Sequence, residues 1–133
     1  MNQEPCTVAE LASMSFDGTV HPRAFFDRAL EVAVHNWADL DKQLVVWLAR
    51  EGHLTKNKLP IQNHAGHGKY FINDARRHGR PDFDGNWQRV GDFYVDTKYN
   101  AQSHIKNLLA TLQQLGVRDP HFYLAFRTDE GGR

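Results

Sequence analysis

The chain has few means of being held together covalently or anchored in a lipid phase. Cys6 is its only cysteine, so no internal disulfide can form, and a reducing cytoplasm is the expected setting. No apolar run approaches the roughly 18 residues of a membrane span, so no membrane partner is expected. The opening Met1-Asn2-Gln3-Glu4-Pro5 has neither the basic start nor the apolar core of a secretory signal. A dominant charge is missing too. The 16 Lys and Arg cancel the 16 Asp and Glu, so no overall field advertises a nucleic-acid or membrane partner. Internal repeats and low-complexity stretches are absent. What remains is an ordinary globular composition. At 133 residues and 41% apolar, the chain suits one domain, 1–133, with three Trp and eight Phe to fill a core.

The charge that cancels overall is unevenly spread. Residues 1–52 carry four basic and eight acidic side chains, a balance of minus four. Residues 53–80 carry six basic and one acidic, a balance of plus five, together with four of the eight His. A basic stripe of this kind is either a solvated loop or a phosphate-binding face.

Local signals predict an N-terminal helical part over 7–52, a sheet-containing core over 69–126 and a frayed tail over 127–133. Thr7-Val8-Ala9-Glu10 reads as a capping box opening a short helix to about Met14. Asp17-Gly18 reads as a turn. Pro22 suits the first turn of a second helix, and Phe26, Leu30, Ala33, Trp37, Leu40, Leu44 and Trp47 recur at helical steps. This is one long helix, or two broken near Asp39, ending at Gly52. Lys69–Asn73 reads as a short strand, Asp84-Gly85-Asn86 as a hairpin turn and Arg89–Tyr99 as the best strand. Asn100 caps a helix whose Ala101, Ile105, Leu108 and Leu112 share a face, and His121–Phe126 reads as a last strand. The order helix-helix-strand-strand-strand-helix-strand predicts an α/β or α+β fold. Helices pack on a small mixed sheet, with a parallel crossover at the end.

The pattern that could carry chemistry is Pro81-Asp82, thirteen residues, then Asp96-Thr97-Lys98. Side chains at i and i+2 of a strand share a face, so Asp96 and Lys98 project together. A hairpin at 84–88 would set Asp82 beside Asp96, and two adjacent carboxylates call for a cation. Oxygen ligands suit Mg²⁺, and a nearby lysine can orient water or stabilise charge on a phosphate. These are parts for metal-assisted phosphodiester hydrolysis.

On these residues the chain resembles the PD-(D/E)XK nuclease superfamily over roughly 22–126. The resemblance implies Mg²⁺-dependent hydrolysis of DNA or RNA, with Asp82 and Asp96 as metal ligands and Lys98 as the catalytic lysine. It also implies an acidic residue from the first core helix. Glu31 is the candidate, as the only Glu within 22–50, with Asp27 and Asp39 as substitutes. The acid of the second half-motif is Asp rather than the commoner Glu. The helix after Lys98 carries Gln102 without the Gln-x-x-x-Tyr of one branch. Gly79 and Pro81 suit an edge or a turn, and if Asp82 sits in a turn, Asp92 is the alternative second ligand. Members often act as dimers, so a homodimer is an open arrangement.

Residues 64–80 would grip the backbone. His64, His67 and Lys69 lie in a Gly-flanked loop, and Arg76, Arg77 and Arg80 follow near Tyr70 and Phe71. His64 and His67 could also serve metal-free acid–base chemistry. Two further readings stand beside the nuclease. One is a non-catalytic binding module in which three N-terminal helices and a hairpin form a winged-helix-like unit. The other is a protein-interaction or immunity-type protein without nucleic acid. Asp92, Asp96 and Lys98 as the wet face of an antiparallel strand is the plainest account of the motif.

Overall fold

The computed structural model describes residues 4–128. It has a mixed α/β architecture built from two four-stranded sheets and three helices. A short strand β1 (Cys6–Thr7) runs into helix α1 (Val8–Leu11). The capping box forms as read: the Thr7 hydroxyl accepts from the Glu10 N–H while the Glu10 carboxylate accepts from the Thr7 N–H. The Asp17-Gly18 turn also forms, closed by the Val20 N–H on the Asp17 carbonyl.

The next segment is not helical. Strands β2 (Val20–Asp27) and β3 (Leu30–Ala33) make a hairpin in which Asp27 pairs with Leu30 around Arg28-Ala29. The three- and four-residue spacing of Phe26, Leu30 and Ala33 therefore marks no helix face. Instead Ala24 and Phe25 are buried, and Pro22 sits at a register shift against the last strand, β8 (Phe122–Thr128). A proline fits at such a bulge because the ladder is already interrupted there. Of the expected helical part over 7–52, Val8–Leu11 and Trp37–Arg50 are helical, but a strand hairpin stands between them, so the three helices of a winged-helix-like unit do not form. Helix α2 (Trp37–Arg50) begins only after the hairpin, capped by the Asn36 side chain, which accepts from the Asp39 N–H.

The second sheet has the order β4 (Ile61–Gln62), β5 (Tyr70–Asn73), β7 (Phe93–Asp96), β6 (Trp87–Val90). The strand expected over 89–99 is instead two strands folded at Gly91-Asp92, where Val90 pairs with Phe93 and Gly91 takes φ +59. Glycine adopts that left-handed conformation without a Cβ clash. Residues 84–86 are not a hairpin turn. Helix α3 (Ala101–Gln114) opens on the Asn100 cap as read, its side chain accepting from the Ser103 N–H. All strand pairs are antiparallel, and β8 joins the first sheet, in the order β1-β8-β2-β3, rather than closing a parallel crossover on β7. Of the expected frayed tail, Arg127 and Thr128 belong to β8, and 129–133 lie outside the described residues.

Helix α2 touches β2 of the first sheet, β6 and β7 of the second, and α3. Its Leu40, Leu44, Val45, Trp47 and Leu48 are buried, with Trp47 edge-on to Phe122 and Phe122 stacked on Phe25. Among the described residues no helix is long and apolar enough to cross a membrane.

Candidate functional site

β7 ends at Asp96, and the chain leaves the sheet through Thr97–Asn100 into α3. Asp96 is 2% exposed. Its Oδ1 accepts the Asn86 N–H at 2.8 Å and the Lys98 N–H at 3.1 Å. Its Oδ2 lies 2.9 Å from His78 Nε2. The Tyr70 N–H donates to His78 Nδ1 at 2.8 Å, so that nitrogen is an acceptor and the ring proton sits on Nε2, facing Asp96. The carboxylate is thereby oriented by three donors from three segments.

The segment before β6 is clamped over this end of the sheet. The Thr97 N–H and hydroxyl both donate to the Asn86 carbonyl, at 2.9 and 2.8 Å. Gly85 explains its own place in the Asp-Gly-Asn triplet: a Cβ there would lie 2.9 Å from Asp96 Oδ2 and 2.8 Å from Trp87 Nε1. The glycine allows close approach to the buried carboxylate and is not a hairpin residue.

Asp82 is not on a strand. It sits in the turn closed by the Phe83 N–H on the Arg80 carbonyl, exposed, with Arg80 Nε at 3.3 Å from its Oδ1. The residue beside Asp96 in the sheet is Trp87. Even so, the motif residues come together. Lys69, Asp82, Phe83, Asp84, Asp96, Lys98 and Tyr99 line one cavity of about 270 Å³. Lys98 Nζ reaches Asp84 Oδ2 at 3.3 Å across its mouth. Lys69 and Arg80 each stand 5.1 Å from the centre of the Phe83 ring. Tyr99 forms the inner wall, and its hydroxyl accepts from Asn63 Nδ2 at 3.2 Å. Burial, reinforced by the negative charges of Asp96 and Asp41, pushes the Tyr99 phenol up to about 12, so it stays protonated.

The other expected site residues are dispersed. Glu31 lies on β3 in the first sheet, opposite Phe26, exposed and not on a helix; it does not line the cavity. Asp27 pairs with Arg50, and Asp39 accepts the His35 N–H beside Lys42. Asp92 is exposed at the β6–β7 turn, not in the cavity. His64 and His67 are exposed in the loop over 63–69, where His67 takes φ 60. Partial burial and the charge of Lys106 lower the His64 pKa. Arg76 lies 5.2 Å from the Tyr94 ring centre, and Arg77 is exposed.

Two features carried no functional reading in the sequence. One is the link from His78 to Asp96. The other is a buried pair, His104 Nδ1 and Asp41 Oδ2, 2.7 Å apart between α3 and α2. The atoms meet at ion-pair distance without satisfying hydrogen-bond geometry. Both residues fall on the apolar stripes of their helices, beside Leu40 and Leu44 and beside Ile105 and Leu108, and that placement was the signal available.

Among the described residues, no group of three or more His, Cys, Asp or Glu stands ready to hold a metal. Mg²⁺ does not require one, since it is commonly held by one or two carboxylates together with substrate phosphates and water. The cavity's donors are hard carboxylate oxygens: three carboxylates stand with two ammonium groups, and the Arg80 guanidinium is at Asp82. On donor chemistry the residues fit such an ion. Comparison with protein-family models, curated proteins and solved structures gives no match.

Proposed function

We propose that this protein is a metal-dependent, nuclease-like hydrolase acting on phosphodiester bonds of DNA or RNA at the cavity over Asp96. The observation that carries the reading is the lining of that cavity, where Asp82, Asp84, Asp96, Lys69 and Lys98 meet from three stretches of chain. Carboxylates beside a phosphate repel it unless a divalent cation comes between them. Asp82 and Asp96 would hold Mg²⁺, which supplies Lewis acidity and a more acidic bound water.

The chain's own groups do the remaining work in this reading. Lys98 and Lys69 offset charge that develops on the phosphoryl oxygens. Tyr99, protonated across the working range, offers a hydrogen-bond donor and not a base. His78 keeps the Asp96 carboxylate in place through its Nε2 proton. Arg80, Arg76, Arg77, His64 and His67 lie on the adjoining loops, where exposed cations suit a backbone.

The test is incubation of single- and double-stranded DNA and RNA with the protein in Mg²⁺, in Mn²⁺ and in chelator. Cleavage is expected only with a divalent ion, and Lys98→Ala or Asp82→Asn should remove it without lowering Tm. Binding that falls steeply with salt but never leads to cutting would replace the hydrolase with a non-catalytic module. Neither binding nor cutting would leave only a protein-interaction role.

A further inference from the structure

A second cavity, of about 250 Å³, is lined by Pro60, Tyr70, Asn73, Arg77, His78 and Gly79. It meets the first cavity through the His78–Asp96 contact, because His78 lines one and Asp96 the other. Their chemistry differs. The first holds three carboxylates, whereas the second holds none and carries the Arg77 guanidinium. That guanidinium has no hydrogen bond or ion pair among the described residues, although Arg76 and Arg80 beside it are each engaged.

The remaining lining is suited to a flat, partly polar ring. Tyr70 and Pro60 present planar or apolar surface. Asn73 is 5% exposed, and its amide is only half used: Nδ2 donates once, to the Arg77 carbonyl, and Oδ1 accepts once, from the Asp74 N–H. One donor and one acceptor position are left over. A side-chain amide with both is the group that pairs with the edge of an unstacked base. The volume lies below the roughly 300–1,000 Å³ of sites for drug-sized ligands, which suits one ring system.

We infer that this second cavity is a subsite for one unpaired nucleobase of single-stranded nucleic acid. The base lies against Tyr70, its edge meets the Asn73 amide, and its phosphate meets Arg77. The inference rests on the nucleic-acid reading above and narrows it. A base held in such a cavity has left its stack, so single strands are favoured over duplexes, where unpairing opposes binding. Stacking on an aromatic ring tolerates different bases, so the preference is for strandedness more than for sequence.

The experiment is fluorescence anisotropy of labelled single strands and duplexes of the same sequence, at low salt and in chelator so that nothing is cut. A second readout is the fluorescence of 2-aminopurine placed within the single strand. Single strands should bind about tenfold more tightly than duplexes, with quenching of 2-aminopurine as it stacks. Arg77→Ala should weaken single-strand binding by about tenfold and reduce the quenching, weaken duplex binding by clearly less, and leave Tm unchanged. Because Arg77 is exposed, this variant should fold. Equal binding of both forms, equally reduced by Arg77→Ala and without quenching, overturns the base subsite and leaves backbone binding standing. No binding of either form overturns the base subsite, while cutting in Mg²⁺, measured separately, decides the nucleic-acid reading on which it rests.

Discussion

His104 Nδ1 stands 2.7 Å from Asp41 Oδ2, and both side chains are 3% exposed, so helices α2 and α3 share an ionisable pair out of reach of water. Burial outweighs the attraction of His104 and raises the Asp41 carboxyl from 3.8 to about 6, with the Asp96 charge adding to the shift. A carboxyl raised on folding binds its proton more readily in the folded state. Its contribution is complete below the ordinary Asp range and is lost as pH rises through about 6. Wild type compared with Asp41→Asn should therefore lose relative stability between about pH 4 and pH 7, by something on the order of 1–3 kcal/mol. Urea denaturation of both proteins across that range checks it, and parallel pH curves would remove Asp41 as the cause.

Asp96 should behave as a structural carboxylate whatever else it does. It accepts from Asn86, Lys98 and His78, and an amide in its place would turn one –NH₂ toward those donors. Asp96→Asn should cost about 2–4 kcal/mol in denaturant unfolding. Lys98→Ala and Asp82→Asn break only exposed ion pairs and should each cost less than about 1 kcal/mol. Loss of cutting in Asp96→Asn alone is therefore weak support for a metal ligand, and the exposed pair of variants carries that test.

Gly85→Ala should destabilise by about 1–3 kcal/mol, since its Cβ would meet Asp96 Oδ2 at 2.9 Å and Trp87 Nε1 at 2.8 Å. Gly18→Ala is the control, because nothing lies within 4 Å of a Cβ there. Thermal unfolding of the two should separate them clearly. Similar Tm values would mean that the 84–86 segment does not press on the carboxylate.

Arg28→Gly offers a test of the hairpin with an unusual sign. Arg28 takes φ 58 between β2 and β3, a left-handed conformation in which a side chain is strained. Among the described residues its ion pair is a 4.0 Å contact to Glu51 from a largely exposed side chain. Glycine should raise stability by up to about 1 kcal/mol. In a helix across this stretch the same change would lower stability by about 1 kcal/mol. The direction of the shift in Cm therefore discriminates between strand and helix.

Some of the site was legible before folding was considered. Residue type and spacing point to Asp82, Asp96, Lys98 and Lys69, and all four line one cavity. The route was not legible. A strand was expected to bring Asp82 beside Asp96, whereas a turn brings it to the cavity mouth. Glu31 was placed by a helix that does not form. His78 is one of the four His within 53–80, and its bond to Asp96 spans 18 residues that no local pattern connects.

Local physics fixed what depends on a few neighbouring residues. The Thr7–Glu10 capping box, the Asn100 cap, the Gly52 and Gly116 helix ends and the Tyr70–Asn73 strand all follow from short-range hydrogen bonding and backbone preference. Tertiary structure decided the rest. Residues 20–33 satisfy a helical spacing by coincidence, and pairing with β8, distant in sequence, makes them strands. The broad buried face of α2 packs against strands of both sheets, which are far apart in sequence. Which carboxylates share a cavity depends on that packing, because charge and spacing along a chain do not specify distance across it.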